Sequence, residues 1–87
     1  MNAPRVKVLY FAGLRDAFGT SEMLCNVEEG MTLGQLSKRL FDEHPEARGM
    51  AASLAYGVNF EYAGLDRVLQ AGDEVAFIPP VAGGAHD

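Results

Sequence analysis

The chain has no tryptophan and a single cysteine, Cys25, in 87 residues. One thiol cannot close an intramolecular disulfide or found a cysteine-rich zinc site, so the fold must hold without either staple. A reducing compartment, the cytoplasm, is therefore the expected setting. Positive charge is also sparse. Seven Lys and Arg face twelve Asp and Glu for a net charge of −5, and Arg5, Lys7, Arg15, Lys38, Arg39, Arg48 and Arg67 form no run. Nucleic acid and anionic membrane both require concentrated positive charge, so neither is an expected partner. An acidic chain suits docking on a basic protein surface instead. No apolar run approaches the roughly 20 residues that cross a bilayer, and the opening MNAPRVKV turns straight into a strand-like pattern with no sign of a leader.

Conventional catalytic groups are equally few. His44 and His86 are the only histidines, and neither has a partner at a metal or dyad spacing. His44 falls near an expected helix end, where an imidazolium suits the dipole, and His86 falls in an expected tail. Cys25 lies in a strand-like segment with no neighbouring cation to lower its pKa, which reads as a buried, inert thiol. Asp73 and Glu74 are adjacent in sequence, so in a strand they would point to opposite faces; turn chemistry accounts for them better than a carboxylate pair. No metal site and no bound cofactor are expected.

What is present is enough apolar residue, 48% of the chain against 22% charged, for one small core. Residues 5–12, RVKVLYFA, read as a strand with Val6, Val8 and Tyr10 on one face and Lys7, Leu9 and Phe11 on the other. Gly13 to Ser21 reads as a turn, and Glu22 to Val27 as the return strand of a hairpin. Thr32 followed by Gln35 matches a capping box, with Met31 and Leu36 placed as a staple across it. Leu33, Leu36, Leu40 and Phe41 then share a stripe, which predicts an amphipathic helix over 33–43, ending near His44 because Pro45 disfavours helical geometry before it. A further helical turn over 45–50, a strand over 54–60, a short strand or turn over 61–65, a tight turn at Gly72–Asp73 and a last strand over 75–78 complete the order. The pattern predicts an α+β domain over 1–87: a mixed sheet with one main helix across one face, the first and last strands as central neighbours, and a flexible tail from about residue 79.

Two features outlast this account of the core. If the helix covers Val6, Val8, Tyr10, Val75 and Phe77, then Leu9, Phe11, Ala76 and Ile78 form an apolar patch on the opposite face, the mark of a protein contact. The closing PPVAGGAHD places a Gly-Gly pair, Gly83 and Gly84, near the end of the chain. Consecutive glycines can thread a channel too narrow for side chains. Pro79 and Pro80 stiffen the approach and remove two backbone donors.

Three stretches, KVLYFAGLRDAFG at 7–19, VNFEY at 58–62 and GDEVAFIPPVAGG at 72–84, together resemble the small subunit of molybdopterin synthase, of the ubiquitin-like β-grasp sulfur carriers. The resemblance runs over almost the whole chain. The related thiazole-synthesis carriers also end in Gly-Gly but are less similar at the opening and at the Pro-Pro step. The resemblance implies a β-grasp fold and a cycle centred on Gly84. An activating enzyme uses ATP to adenylate the terminal glycine carboxylate, sulfur transfer leaves a thiocarboxylate, and the large synthase subunit receives that end for delivery of sulfur to a pterin precursor of the molybdenum cofactor. Gly83 matches the slender neighbour, Pro79 and Pro80 the stem of the inserted tail, and Phe11, Tyr62 and Ile78 the positions that pack against partners. Arg15 matches a basic position of the opening motif and reads equally as a solvated arginine.

The small subunit supplies a tethered nucleophile at high effective concentration and no catalytic side chain of its own. One departure stands out: the family stops at the second glycine, whereas Ala85, His86 and Asp87 follow here. At about 3.3 to 3.6 Å per residue they carry the terminal carboxylate on the order of 10 Å past Gly84. Activation of Gly84 therefore implies their prior removal by a processing protease. A carrier serving another biosynthetic pathway, and a ubiquitin-like binding module with a blocked tail, remain open alternatives.

Overall fold

Strand β1 (Arg5–Tyr10) is an interior strand of a five-stranded sheet, and the chain returns through a short helix α1 (Gly13–Phe18) to the antiparallel edge strand β2 (Glu22–Asn26). The main helix α2 (Leu33–Glu43) and a 3-10 segment (Pro45–Ser53) then cross one face, and β3 (Ala55–Val58), β4 (Glu61–Tyr62) and β5 (Glu74–Ile78) complete the sheet. These elements come from a computed structural model that describes residues 4–80. The Gly83–Gly84 pair, Ala85, His86 and Asp87, and with them the expected flexible tail beyond Pro80, lie outside the described residues.

The strand order is β2-β1-β5-β3-β4. β1 and β5 pair in parallel, with Val8 opposite Val75 and Tyr10 opposite Phe77, and the other three pairings are antiparallel. First and last strands are thus central neighbours, as the alternation predicted. The expected core face is also correct: Val6, Val8, Tyr10, Val75 and Phe77 are all buried. Phe77 sits at the centre, edge-on to Tyr10 and Tyr56 and stacked on Phe41 at a ring distance of 5.9 Å. Such aromatic contacts contribute beyond the area they bury.

Helix α2 starts where the capping box placed it. The Thr32 N–H donates to Gln35 Oε1 at 2.9 Å, and the Gln35 N–H donates to Thr32 Oγ1 at 3.2 Å. Leu33, Leu36, Ser37, Leu40 and Phe41 form its buried stripe. Ser37 is satisfied inside the core by a 2.9 Å hydrogen bond with the Tyr56 hydroxyl. The helix stops at His44, as the following proline required.

Three expectations needed correction. The stretch expected to turn over 13–21 holds α1, with Leu14 and Phe18 four residues apart and buried on one face. Six residues are too few for a helical period to show in sequence, and Ala12 gives no side-chain cap to announce it. The helical turn over 45–50 extends to Ser53 as 3-10 structure and buries Ala47. The strand expected over 54–60 ends at Val58, because Asn59 and Phe60 both have positive φ, at 54° and 72°. Val58 pairs with Glu61, so these two residues are the loop of a two-residue hairpin, whose primed turn type requires φ above zero at both positions. Among the described residues, no helix is long and apolar enough to cross a membrane.

Candidate partner-binding surface

The face of the sheet opposite α2 has no element over it among the described residues, and the strand registers assign its rows. Leu9 lies beside Ala76, Ala76 beside Gly57, and Gly57 beside Tyr62, so one row crosses β1, β5, β3 and β4 in turn. Ala76 and Gly57 make a low floor between Leu9 and Tyr62. The next row carries Ile78 at the end of β5, with Phe11 one residue beyond β1. The result is a groove of about 430 Å³ that Phe11, Tyr62 and Ile78 all line, together with Phe60. The alternation argument for Leu9, Phe11, Ala76 and Ile78 therefore holds, and Tyr62 joins them through β4.

The exposed aromatics set the character of this surface. Phe60 is 91% exposed, Tyr62 82% and Phe11 45%. Large aromatic groups left in water on both sides of a groove mark a contact surface. Glu61 and Glu74 bring carboxylates into the same groove. Ile78 ends β5 and Pro79–Pro80 follow at once, so the chain leaves the sheet from the groove's own margin.

The groove's geometry is held from below by a polar network at its far end. Gly72, at φ 86°, makes the turn that a side chain would strain, and Asp73 follows it, only 7% exposed. Asp73 accepts from the Gln70 N–H at 2.7 Å and from Asn59 Nδ2 at 2.9 Å. Asn59 in turn accepts from the Glu74 N–H at 2.9 Å, and its own N–H donates to the Glu74 carbonyl at 2.8 Å. The GDEV motif thus has a physical role: a turn glycine, a buried acceptor, a strand start locked to the β3–β4 hairpin, and a core valine. Asp73 is turn chemistry, as the sequence indicated. Replacement of Asp73 by Ala removes the acceptor of two part-buried hydrogen bonds, so unfolding by urea should show a loss of about 1–2 kcal/mol, with Asp73→Asn losing less because one acceptor remains.

The remaining candidates fall elsewhere. Cys25 is buried on the core side of β2, and burial pushes its thiol pKa up against the opposing pull of Arg39. That is an inert thiol, not a nucleophile. His44 caps α2, with Nδ1 3.1 Å from the Leu40 carbonyl and its ring 4.4 Å from that of Phe18. Arg15 is exposed on α1 and does not line the groove. Among the described residues no cluster of His, Cys, Asp or Glu could hold a metal. Gly83, Gly84 and His86 lie outside the described residues.

Sequence reasoning missed Phe60, which it placed at the end of a strand, and with it the floor at Gly57 and the carboxylate of Glu61. The signal was present in VNFE: an asparagine two residues before the continuation of a strand is a hairpin cue, though a phenylalanine in the position usually given to glycine obscures it.

The sheet order and the single crossing helix are those of the ubiquitin-like β-grasp fold. Comparison with known proteins narrows the class. The model of the ThiS family matches residues 8–84. A molybdopterin synthase sulfur carrier subunit of Mycobacterium tuberculosis is 41% identical over 81 residues, covering 92% of this chain and 98% of that protein. Its human counterpart of the same description is 35% identical over 83 residues, covering 92% and 94%. Among solved structures, the small archaeal modifier protein 1 of Haloferax volcanii superposes with a TM-score of 0.79 at 25% identity, over 91% of this chain and all of that one. The chain belongs to the ThiS family, alongside the curated molybdopterin synthase sulfur carrier subunits that it matches over nine-tenths of its length.

Proposed function

We propose that this chain is the sulfur-carrying small subunit of a molybdopterin synthase, acting through the carboxylate of Gly84 once Ala85, His86 and Asp87 have been removed. The observation that carries the reading is the coincidence of two things. The chain matches the ThiS family through Gly84, and the strand that leads to that glycine leaves the sheet at the edge of an apolar groove. A carrier needs a reactive end and a docking face close to it.

In the proposed cycle a Gly84 carboxylate oxygen attacks the α-phosphorus of ATP on an adenylating enzyme, releasing pyrophosphate. The acyl-adenylate is an electrophile that the carboxylate is not, and hydrosulfide-level sulfur supplied on the activating side attacks its carbonyl carbon, breaking the bond to AMP and leaving a thiocarboxylate. Docked on the large subunit, that thiocarboxylate passes its sulfur to the pterin precursor. Phe11, Tyr62 and Ile78 hold the docked face, Pro79 and Pro80 stiffen the stem, and Gly83 and Gly84 reach the active site of the large subunit. Docking replaces a bimolecular encounter by a tethered one, and tethering supplies the rate advantage. A solved relative from Helicobacter pylori, a complex of subunits 1 and 2 of molybdopterin-converting factor, has the same fold, with a TM-score of 0.67 at 21% identity. It supports an assembly of this kind for the present chain. A buried, unreactive Cys25 fits a cytoplasmic site of action.

The test separates the two forms of the chain. Incubated with the activating enzyme and ATP, protein ending at Gly84 should release pyrophosphate and accumulate acyl-adenylate, while full-length protein should do neither. Intact mass of the chain from its native host should show a species ending at Gly84, part of it carrying sulfur in place of oxygen. Recovery of full-length chain alone would sink the proposal.

A further inference from the structure

We infer that Phe60 is a preset anchor for the large synthase subunit, and that the hollow beside it receives an apolar side chain of that subunit flanked by a lysine or arginine. The inference rests on the functional reading above and extends it to the residues that choose the partner.

Among the described residues, Phe60 is the most exposed of the large apolar side chains. Its φ of 72° is a conformation that glycine adopts freely and a phenylalanine does not. Neither burial nor backbone preference within this chain accounts for a phenylalanine there. The positive-φ non-glycine residues among those described are Ala12, Asn59 and Phe60. One precedes α1 directly after Phe11, and the other two form the hairpin tip. Positive φ therefore falls at Phe60 itself and directly after Phe11, two of the three aromatics that line the groove, and stored backbone strain of this kind gathers where a contact surface is preset.

The turn is also locked. Asn59 is tied through both side-chain ends, to Asp73 and to the Glu74 N–H. Phe60 is held out by a hairpin that cannot easily swing, which lowers the ordering cost of binding.

The hollow's shape and charge name its occupant. Gly57 has an ordinary strand backbone, and a Cβ placed on it would already lie 3.4 Å from the Glu61 carbonyl and 3.8 Å from Ala76 Cβ and Ile78 Cδ1. A side chain larger than alanine would therefore rise into the groove and fill it. The vacancy of about 430 Å³ suits an inserted apolar side chain. Glu61 and Glu74 line the same space. Lys7 stands opposite Glu74 in the sheet, yet the ion pairs among the described residues both involve Asp42. Carboxylates covered on docking are costly unless the partner brings a cation. A basic residue beside the inserted apolar group meets that need, and the net charge of −5 acts in the same direction over longer range.

Affinity for the large subunit of the same host is measured by calorimetry at two salt concentrations, with thermal unfolding alongside. Phe60→Gly is expected to raise the unfolding temperature, by relieving the backbone, while weakening binding by about tenfold or more. This opposition of signs is not what a structural role would give. Gly57→Val should stay folded and lose binding to a similar extent, and Glu61→Gln with Glu74→Gln should flatten the salt dependence of affinity. Wild-type binding that survives Phe60→Gly and Gly57→Val within about twofold would overturn the inference and leave the functional reading intact. Failure of the wild-type Gly84-ending chain to bind the large subunit would overturn the reading and the inference with it. Pairing of two copies of this chain through the groove, seen as a dimer that Phe60→Gly dissolves, would overturn the inference alone.

Discussion

Phe11→Asp is expected to weaken capture by the large subunit by at least about 30-fold, equivalent to about 2 kcal/mol, while the domain unfolds at nearly the wild-type temperature. The two halves of this result have separate causes. Phe11 follows the last residue of β1, is 45% exposed and lines the outer groove, outside the buried core. The core face of the same strand is carried by Val6, Val8 and Tyr10, which the substitution does not touch. In the docked complex, however, an aspartate would be covered within an apolar groove that already holds Glu61 and Glu74. A third carboxylate there suffers desolvation and like-charge repulsion together. Calorimetric titration of the variant against the large subunit, with circular dichroism to check folding, decides the matter. An affinity within a few-fold of wild type would show that the groove is not the docking face.

Phe77→Ala should act in the opposite way, on the fold first. Phe77 is fully buried, and its ring meets those of Tyr10, Phe41 and Tyr56. Truncation removes the ring's transfer free energy and leaves a cavity between the sheet and α2, for a cost of about 3–5 kcal/mol. Domains have only about 5–15 kcal/mol in total, and one this small sits towards the lower end. Chemical denaturation should therefore find the variant marginal or unfolded at 25 °C. Its neighbours Ala76 and Ile78 point to the groove, so binding should fail with the fold and return under stabilising osmolyte. Loss of binding by a fully folded variant would contradict the division of β5 into a structural face and a docking face.

That division was legible in the residues. β5 reads Val75, Ala76, Phe77, Ile78 with the bulkiest core group on one parity, and β1 repeats the alternation. Two such strands and a capped helix with a single apolar stripe, taken in the order of the elements, are enough to predict a mixed sheet covered on one side. Period-two and period-3.6 patterns are local, so each segment carries its own evidence. Helix α1 shows the limit. Its six residues carry one buried pair, Leu14 and Phe18, and a pair has no period. The β3–β4 hairpin shows another. Only pairing of Val58 with Glu61 reveals that Phe60 occupies a turn, because a strand and a tight hairpin tip look alike when phenylalanine stands in the place of glycine.

The amino-acid order alone settled which side chains face inward, where α2 begins and ends, and that a slim glycine pair stands three residues before Asp87. Those are properties of neighbours in the chain, governed by steric period, capping and the absence of a Cβ. The tertiary structure decided what the outward-facing groups make together. Leu9, Gly57, Tyr62 and Ala76 come from four strands, and only the register across β1, β5, β3 and β4 sets them in one row. A surface is a relation between segments far apart in sequence, and no local pattern carries it.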